Sequence, residues 1–179
     1  MKWVVIVTND ETNFSDIVFH NIDLLELNNV EYKLAINNAK NSMYEIFGIQ
    51  IGMKEFDEFV LLQDSVELHN IDIIQEVFLY SDKSVFLSSW GQNYFGKYLS
   101  RILNKMELPL IKSKADSVYY EREFFKEYSN IEKPIIIHDG ILENTNVFEY
   151  AYGRNNMIIN NEYFKKYKWT WDIKQVVDK

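Results

Sequence analysis

The run Trp3-Val4-Val5-Ile6-Val7 constrains this chain more than any other segment. Its four consecutive β-branched residues leave no polar position for a solvent-facing side. Such a segment is an inner strand buried on both faces of a mainly parallel sheet. It stops abruptly at Thr8-Asn9-Asp10. The same grammar recurs twice: Val30-Glu31-Tyr32-Lys33-Leu34-Ala35-Ile36 stops at Asn37-Asn38-Ala39-Lys40, and Glu58-Phe59-Val60-Leu61-Leu62 runs into Gln63-Asp64-Ser65-Val66-Glu67. Between these strands, helical apolar spacing occupies residues 14–27, with Ser15 as the N-cap, and residues 42–56. Strands alternating with helices predict right-handed βαβ units, hence an α/β fold with a mostly parallel, Rossmann-like sheet flanked by helices.

Further along, the spacing predicts a helix over 73–80, a strand over 84–88 and a loop around Trp90-Gly91-Gln92. A helix over 94–106 is expected to carry Lys97, Arg101 and Lys105 on a basic face, with Pro109 as its stop. Leu110-Ile111 reads as a short strand, and residues 115–128 as a charged amphipathic helix. Pro134-Ile135-Ile136-Ile137 is an apolar strand ending at His138-Asp139-Gly140. The tail combines Gly153-Arg154-Asn155-Asn156, the apolar Met157-Ile158-Ile159 and an aromatic, lysine-rich stretch over 163–171. No linker or repeat interrupts residues 1–179, so one domain is expected over the whole span.

The absence of cysteine excludes disulfides, zinc-thiolate sites and cysteine nucleophiles, and leaves packing to supply the stability. With 47% hydrophobic and 16% aromatic residues, that packing is available. A net charge of -8 disfavours polyanions, so nucleic acid is not an expected partner. A small phosphorylated ligand needs only a local pocket with backbone N–H groups and a cation. The opening residues lack the pattern of a signal peptide, and no apolar run approaches the roughly 18–20 residues of a membrane span. The expected location is cytoplasmic.

In parallel sheets ligands bind beyond the carboxyl ends of the strands, where the polar clusters of this chain fall. Thr8, Asn9 and Asp10 are placed to hydrogen-bond a nucleobase or ribose, and Asn37, Asn38 and Lys40 form a comparable group with a cation for phosphate. Asp64, leaving a buried strand, either holds a hard divalent cation together with Glu67 or begins a turn and caps the next helix. His138 is a candidate metal ligand and Asp139 a candidate general base. Trp90 and Gly91, with Gln92, Tyr94, Lys97 and Arg101, make a candidate sugar or phosphate subsite. Dinucleotide, Walker A and nucleophile-elbow motifs are missing, which removes the main supports for dehydrogenase, P-loop and hydrolase readings.

Strand ends at Thr8-Asn9-Asp10, Asn37-Asn38-Ala39-Lys40 and Gln63-Asp64-Ser65-Val66-Glu67 together resemble the GT-A glycosyltransferase fold. The resemblance covers most of the chain and implies a nucleotide-sugar donor, a glycan or other hydroxyl acceptor, and a manganese or magnesium ion on the donor diphosphate. It also implies that Asp64 is the surviving member of the acidic metal-binding motif and that His138 fills a histidine position late in the site. The residues 153–171 look similar to tails of small glycosyltransferase-like proteins. Two departures stand out: Asp-x-Asp is replaced by Asp64-Ser65-Val66, and the chain leaves little room for an acceptor subdomain. A sugar transferase and a non-catalytic binding or scaffolding domain of the same fold are therefore both carried forward. A nucleotidyltransferase is a third possibility, but the glycine- and lysine-rich first loop it calls for is not seen.

Overall fold

The structure, a computed structural model, describes residues 2–9, 12, 14–37, 44–87, 95–108, 114–137 and 156–168. In chain order the elements are β1 (Trp3–Asn9), α1 (Ser15–Leu27), β2 (Glu31–Asn37), α2 (Tyr44–Glu55), β3 (Glu58–Gln63), β4 (Val66–Leu68) and α3 (Asp72–Leu79). They continue as β5 (Val85–Phe86), β6 (Phe95–Leu99), α4 (Ser100–Leu103), α5 (Lys114–Ile131), β7 (Ile135–Ile136), β8 (Asn156–Asn160) and β9 (Phe164–Lys168).

Six strands form one sheet in the order β2-β1-β3-β6-β5-β7. The pairs β1–β2, β1–β3 and β5–β7 are parallel, whereas β6 runs antiparallel to both of its neighbours. The expected mostly parallel α/β sheet is therefore present, with five strands in one direction and β6 opposed. The burial of β1 on both faces has a direct cause in the packing. Val4 and Ile6, with Val60 and Leu62, join one apolar cluster with Val18 and Leu25 of α1 and Ile73, Ile74 and Val77 of α3. Val5 and Val7, with Phe59 and Leu61, join a second cluster with Ile46 and Ile49 of α2, Ile102 and Leu103 of α4, and Phe124 and Tyr128 of α5. Alternate side chains of the same strands thus point to opposite helical layers, each buried aliphatic contributing about 1.5–3 kcal/mol.

Several expectations are corrected. Residues 95–99 are the strand β6 rather than part of a helix; only Ser100–Leu103 are helical. Lys97 does not lie on a basic face, because its side chain is wholly buried. Its ammonium donates to Glu58 Oε2 at 2.9 Å and to the Tyr80 carbonyl at 2.7 Å, and lies 5.5 Å from the Phe78 ring centre. Ser15 begins α1 rather than capping it; Phe14 is the cap residue, and its N–H donates to Thr12 Oγ1 at 3.1 Å. The polar cluster after β3 is not all loop, since Val66–Leu68 form β4, which pairs with β9 in a second sheet of order β4-β9-β8. Leu110-Ile111 and Trp90-Gly91-Gln92 lie outside the described residues. Among the described residues no helix is long and apolar enough to cross a membrane.

The two glycines of α2 are explained by close approach. A Cβ on Gly48 would stand 2.6 Å from Leu61 Cδ1 and 2.9 Å from Val7 Cβ, and one on Gly52 would collide with the Phe59 ring. In a solvent-facing helix, glycine to alanine gains roughly 0.5–1 kcal/mol. Here Gly48→Ala is expected to destabilise by about 1–3 kcal/mol, because β1 and β3 cannot retreat. Urea unfolding of the variant checks this, and an unchanged or raised midpoint would show that α2 docks more loosely than described.

Candidate functional site

Parallel pairing of β1 with β3 sets Val7 opposite Gln63, so Thr8 and Asp64, the first residues beyond that ladder, stand side by side, Thr8 still paired with β2. The Asp64 N–H donates to the Val7 carbonyl at 3.0 Å, which closes the two strand ends together. The Thr8 hydroxyl donates to Asp64 Oδ2 at 3.1 Å, and the Thr12 hydroxyl donates to the same oxygen at 2.7 Å. Thr12 stands in the turn between β1 and α1, where its N–H donates to the Asn9 carbonyl at 3.2 Å. That turn is therefore hooked over the end of β3. On the other side of β1, Asn9 is in register with Asn37 of β2. Asn37 is buried and Asn9 half-buried.

Asp64 is only 8% exposed. Burial pushes its carboxyl above the ordinary aspartate range, against the opposing pull of the Thr12 and Thr8 hydroxyls, the Lys166 ammonium and the Ser65 N–H. Lys166 arrives from the far end of the chain. In the β4–β9 ladder it is opposite Val66, and Phe164 is opposite Leu68, so Phe164 and Lys166 share the inward face. Phe164 stacks on Phe95 of β6 at 6.4 Å, while Lys166 donates to Gln63 Oε1 at 2.7 Å and to Ser65 Oγ.

Glu67 faces the other side of β4. Lys165, directly opposite it, lies 3.3 Å from its Oε1, and the Tyr167 hydroxyl donates to its Oε2 at 2.8 Å. Partial burial works to raise the Glu67 carboxyl, but the Tyr167 hydroxyl and the Lys165 ammonium outweigh it and hold the group below its usual range. The free edge of β4 is closed by Asn21 of α1, wholly buried, whose amide donates to the Val66 carbonyl at 2.7 Å and accepts from the Leu68 N–H at 3.0 Å.

Of the sequence-predicted residues, Thr8, Asn9, Asn37 and Asp64 thus meet at the carboxyl edge of β2-β1-β3. Asp64 begins a turn but caps no helix, because β4 follows it. Asp10, Asn38, Lys40, Trp90, Gly91, His138 and Asp139 lie outside the described residues. β5 and β7 run in the same direction as β3, so both end at the same edge, beyond β6. Lys97 and Arg101 do not belong to this edge. Lys97 is spent inside the sheet, and Arg101 follows the antiparallel β6 at the opposite edge, paired with Glu132 at 2.8 Å. Among the described residues no group of three or more His, Cys, Asp or Glu is placed to hold a metal ion. Sequence reasoning missed Thr12, Asn21 and Lys166; only the alternation Phe164, Lys166 against Lys165, Tyr167 hinted that one lysine of the tail turns inward.

No protein-family model matches the sequence, and no curated protein does. Among solved structures the fold is similar to a Drosophila β-1,4-galactosyltransferase 7 mutant in complex with manganese, UDP-Gal and xylobiose. The identity is 9% and the TM-score 0.46, over 97% of this chain and 96% of that one. It is also similar to A197 from STIV, at 15% identity and TM-score 0.42 over 76% of this chain and 81% of that one. At such low identity neither neighbour assigns a ligand to this chain.

The raised Asp64 carboxyl carries a sign that can be measured. Its folded value lies above its unfolded one, so the native state binds the extra proton and stability falls as pH rises through that window. Asp64→Asn, which mimics the protonated form, is expected to be more stable than wild type at neutral pH, with the advantage shrinking as pH is lowered into the ordinary aspartate range. Urea unfolding at a series of pH values checks the trend, and a difference that grows on acidification contradicts it.

Proposed function

We propose that the chain binds the nucleotide diphosphate of an activated sugar at the carboxyl edge of β2-β1-β3 and transfers the sugar to a hydroxyl acceptor such as a glycan. The observation that carries this reading is the buried Asp64 carboxylate, held at the end of β3 by hydroxyls from the end of β1 and from the segment that follows it. Parallel α/β sheets bind ligands at such edges, and a desolvated carboxylate aimed at the edge is poised to accept hydrogen bonds from ribose or sugar hydroxyls. In this reading Thr8, Asn9 and Asn37, with Asp10, Asn38 and Lys40, position the nucleotide. Trp90 and Gly91 border the donor sugar. The acceptor oxygen attacks the anomeric carbon, that carbon's bond to the diphosphate breaks, and Asp139 takes the acceptor's proton while the nucleoside diphosphate leaves.

A divalent cation, manganese or magnesium, was expected on Asp64, Glu67 and His138, and the described residues do not fit one. Two hydroxyls and the Ser65 N–H already occupy Asp64, whose carboxylate has roughly four acceptor positions. Glu67 is engaged by Lys165 and Tyr167, and an ammonium stands beside Asp64. A hard cation takes about six or more oxygen ligands and is repelled by that ammonium.

Thermal unfolding with UDP- and GDP-sugars, with and without manganese, tests the reading. A bound donor at about one hundred times its Kd is expected to raise the Tm by about 5–10 °C, and Asp64→Ala to abolish the rise. No response to any donor in either condition favours the non-catalytic binding or scaffolding domain.

A further inference from the structure

Between residues 12 and 21 three side chains reach the same short segment, 64–68. The Thr12 hydroxyl donates to Asp64 Oδ2 at 2.7 Å, and His20 Nε2 lies 2.8 Å from the Leu68 carbonyl. The Asn21 amide meets the Val66 carbonyl at 2.7 Å and the Leu68 N–H at 3.0 Å. We propose that this clasp makes Thr12 and Asn21 positioning residues of the donor site: Thr12 fixes one oxygen of the Asp64 carboxylate and aims the other at the hydroxyls of the nucleotide sugar, while Asn21 holds Thr12 in register. This rests on the edge of β2-β1-β3 being the donor site.

The hydrogen bonds at Thr12 can be arranged in one way. Its oxygen accepts from the Phe14 N–H at 3.1 Å, and its single proton goes to Asp64 Oδ2. Thr8 is less committed, since its hydroxyl stands 3.1 Å from the same Oδ2 and 3.4 Å from the Asn9 carbonyl. Thr12 is therefore the firmer of the two holds, at the distance of a charge-assisted bond to a carboxylate. Both hydroxyls converge on Oδ2, and among the described residues no hydroxyl reaches Oδ1. A carboxylate gripped by one oxygen cannot rotate without giving up both bonds, so a ligand hydroxyl meets an acceptor that is already oriented.

The hold lasts only while α1 keeps its place along β4. Thr12 is half-buried in the turn before α1, and one hydroxyl does not fix a helix. Asn21 stands on the buried stripe of α1 with Val18 and Leu25, where a leucine would pack, and instead bonds β4 in the pattern of a neighbouring strand. Only Ser65 separates Asp64 from β4, so a slip at Asn21 is carried to the carboxylate. Asn21 does not touch Asp64; it acts through Thr12.

The test is calorimetric titration of the full chain with UDP-glucose and with GDP-mannose, manganese present and absent. Wild type is compared with Thr12→Val, Thr12→Ser, Asn21→Leu and the double variant Thr12→Val/Asn21→Leu. Valine keeps the shape of Thr12 without its proton, and serine restores the proton. For whichever donor wild type binds, the expected result is a loss of about tenfold or more in Thr12→Val and near-wild-type affinity in Thr12→Ser. Asn21→Leu is expected to weaken binding by about threefold or more and to add nothing in the Thr12→Val background, a non-additivity that a purely structural role would not produce. If folded Thr12→Val binds as wild type does, Thr12 is not a positioning residue, while the donor site itself stands. If Asn21→Leu binds as wild type does, or if the two losses add, Asn21 serves stability alone. If wild type binds neither donor in either condition, the donor-site reading fails and this inference falls with it. Should either single variant not fold, Thr12→Ala against Thr12→Ser still decides.

Discussion

The parallel ladder of β1 with β2 and β3 is the constraint on which the rest of this structure depends. β1 is hydrogen-bonded on both edges and covered by helices on both faces, so none of its interior positions tolerates a polar group without a partner. Polarity is thereby driven to the strand's end. Once Val7 is opposite Gln63, the first residues beyond the β1–β3 ladder are Thr8 and Asp64, and they are necessarily adjacent. The site is in this sense a by-product of register. A slip of one residue between β1 and β3 would turn their alternating side chains to the wrong helical layers and separate the two groups at the same time.

What the sequence made legible follows from the same physics. Continuous β-branched runs identify inner strands, so β1, β2, β3 and their intervening helices were readable to within a residue or two at most boundaries. Short strands were not. β6 was read as helical because Lys97, Arg101 and Lys105 recur at the spacing of a solvated helical face, and nothing local reveals that Glu58 and the Tyr80 carbonyl will satisfy Lys97 inside the protein. β4 has only three residues, too few for alternation to stand out from a polar turn. Both misreadings concern elements whose strand character is decided by partners far away in sequence, β3 and β5 for one, β9 for the other.

The site was legible to the same extent. Thr8, Asn9, Asn37 and Asp64 were found because they terminate readable strands, whereas Lys166 comes from a β9 whose docking depends on Phe164 reaching Phe95 across the chain. Asn21 illustrates the point further. Its amide takes the place of a neighbouring strand along β4, satisfying one carbonyl and one N–H that would otherwise be buried without partners. An asparagine on a helix gives no sign of such a task, since the need for it arises only when β4 and α1 are already together.

The burial of Asp64 and Lys166 is itself informative. Each is 8% exposed, and burying either charge costs free energy that the attraction between opposite charges seldom recovers in full. Lys97 and Glu58 show what a structural pair looks like here: direct contact at 2.9 Å, deep in the sheet, with one partner still touching water. Asp64 and Lys166 are arranged differently: at the strand edge Asp64 accepts from the Thr8 and Thr12 hydroxyls, and Lys166 donates to the Gln63 amide oxygen and the Ser65 hydroxyl. Parallel sheets bind ligands at this edge, and a buried carboxylate held there by hydroxyls is the physical reason the proposed function is placed at the end of β3.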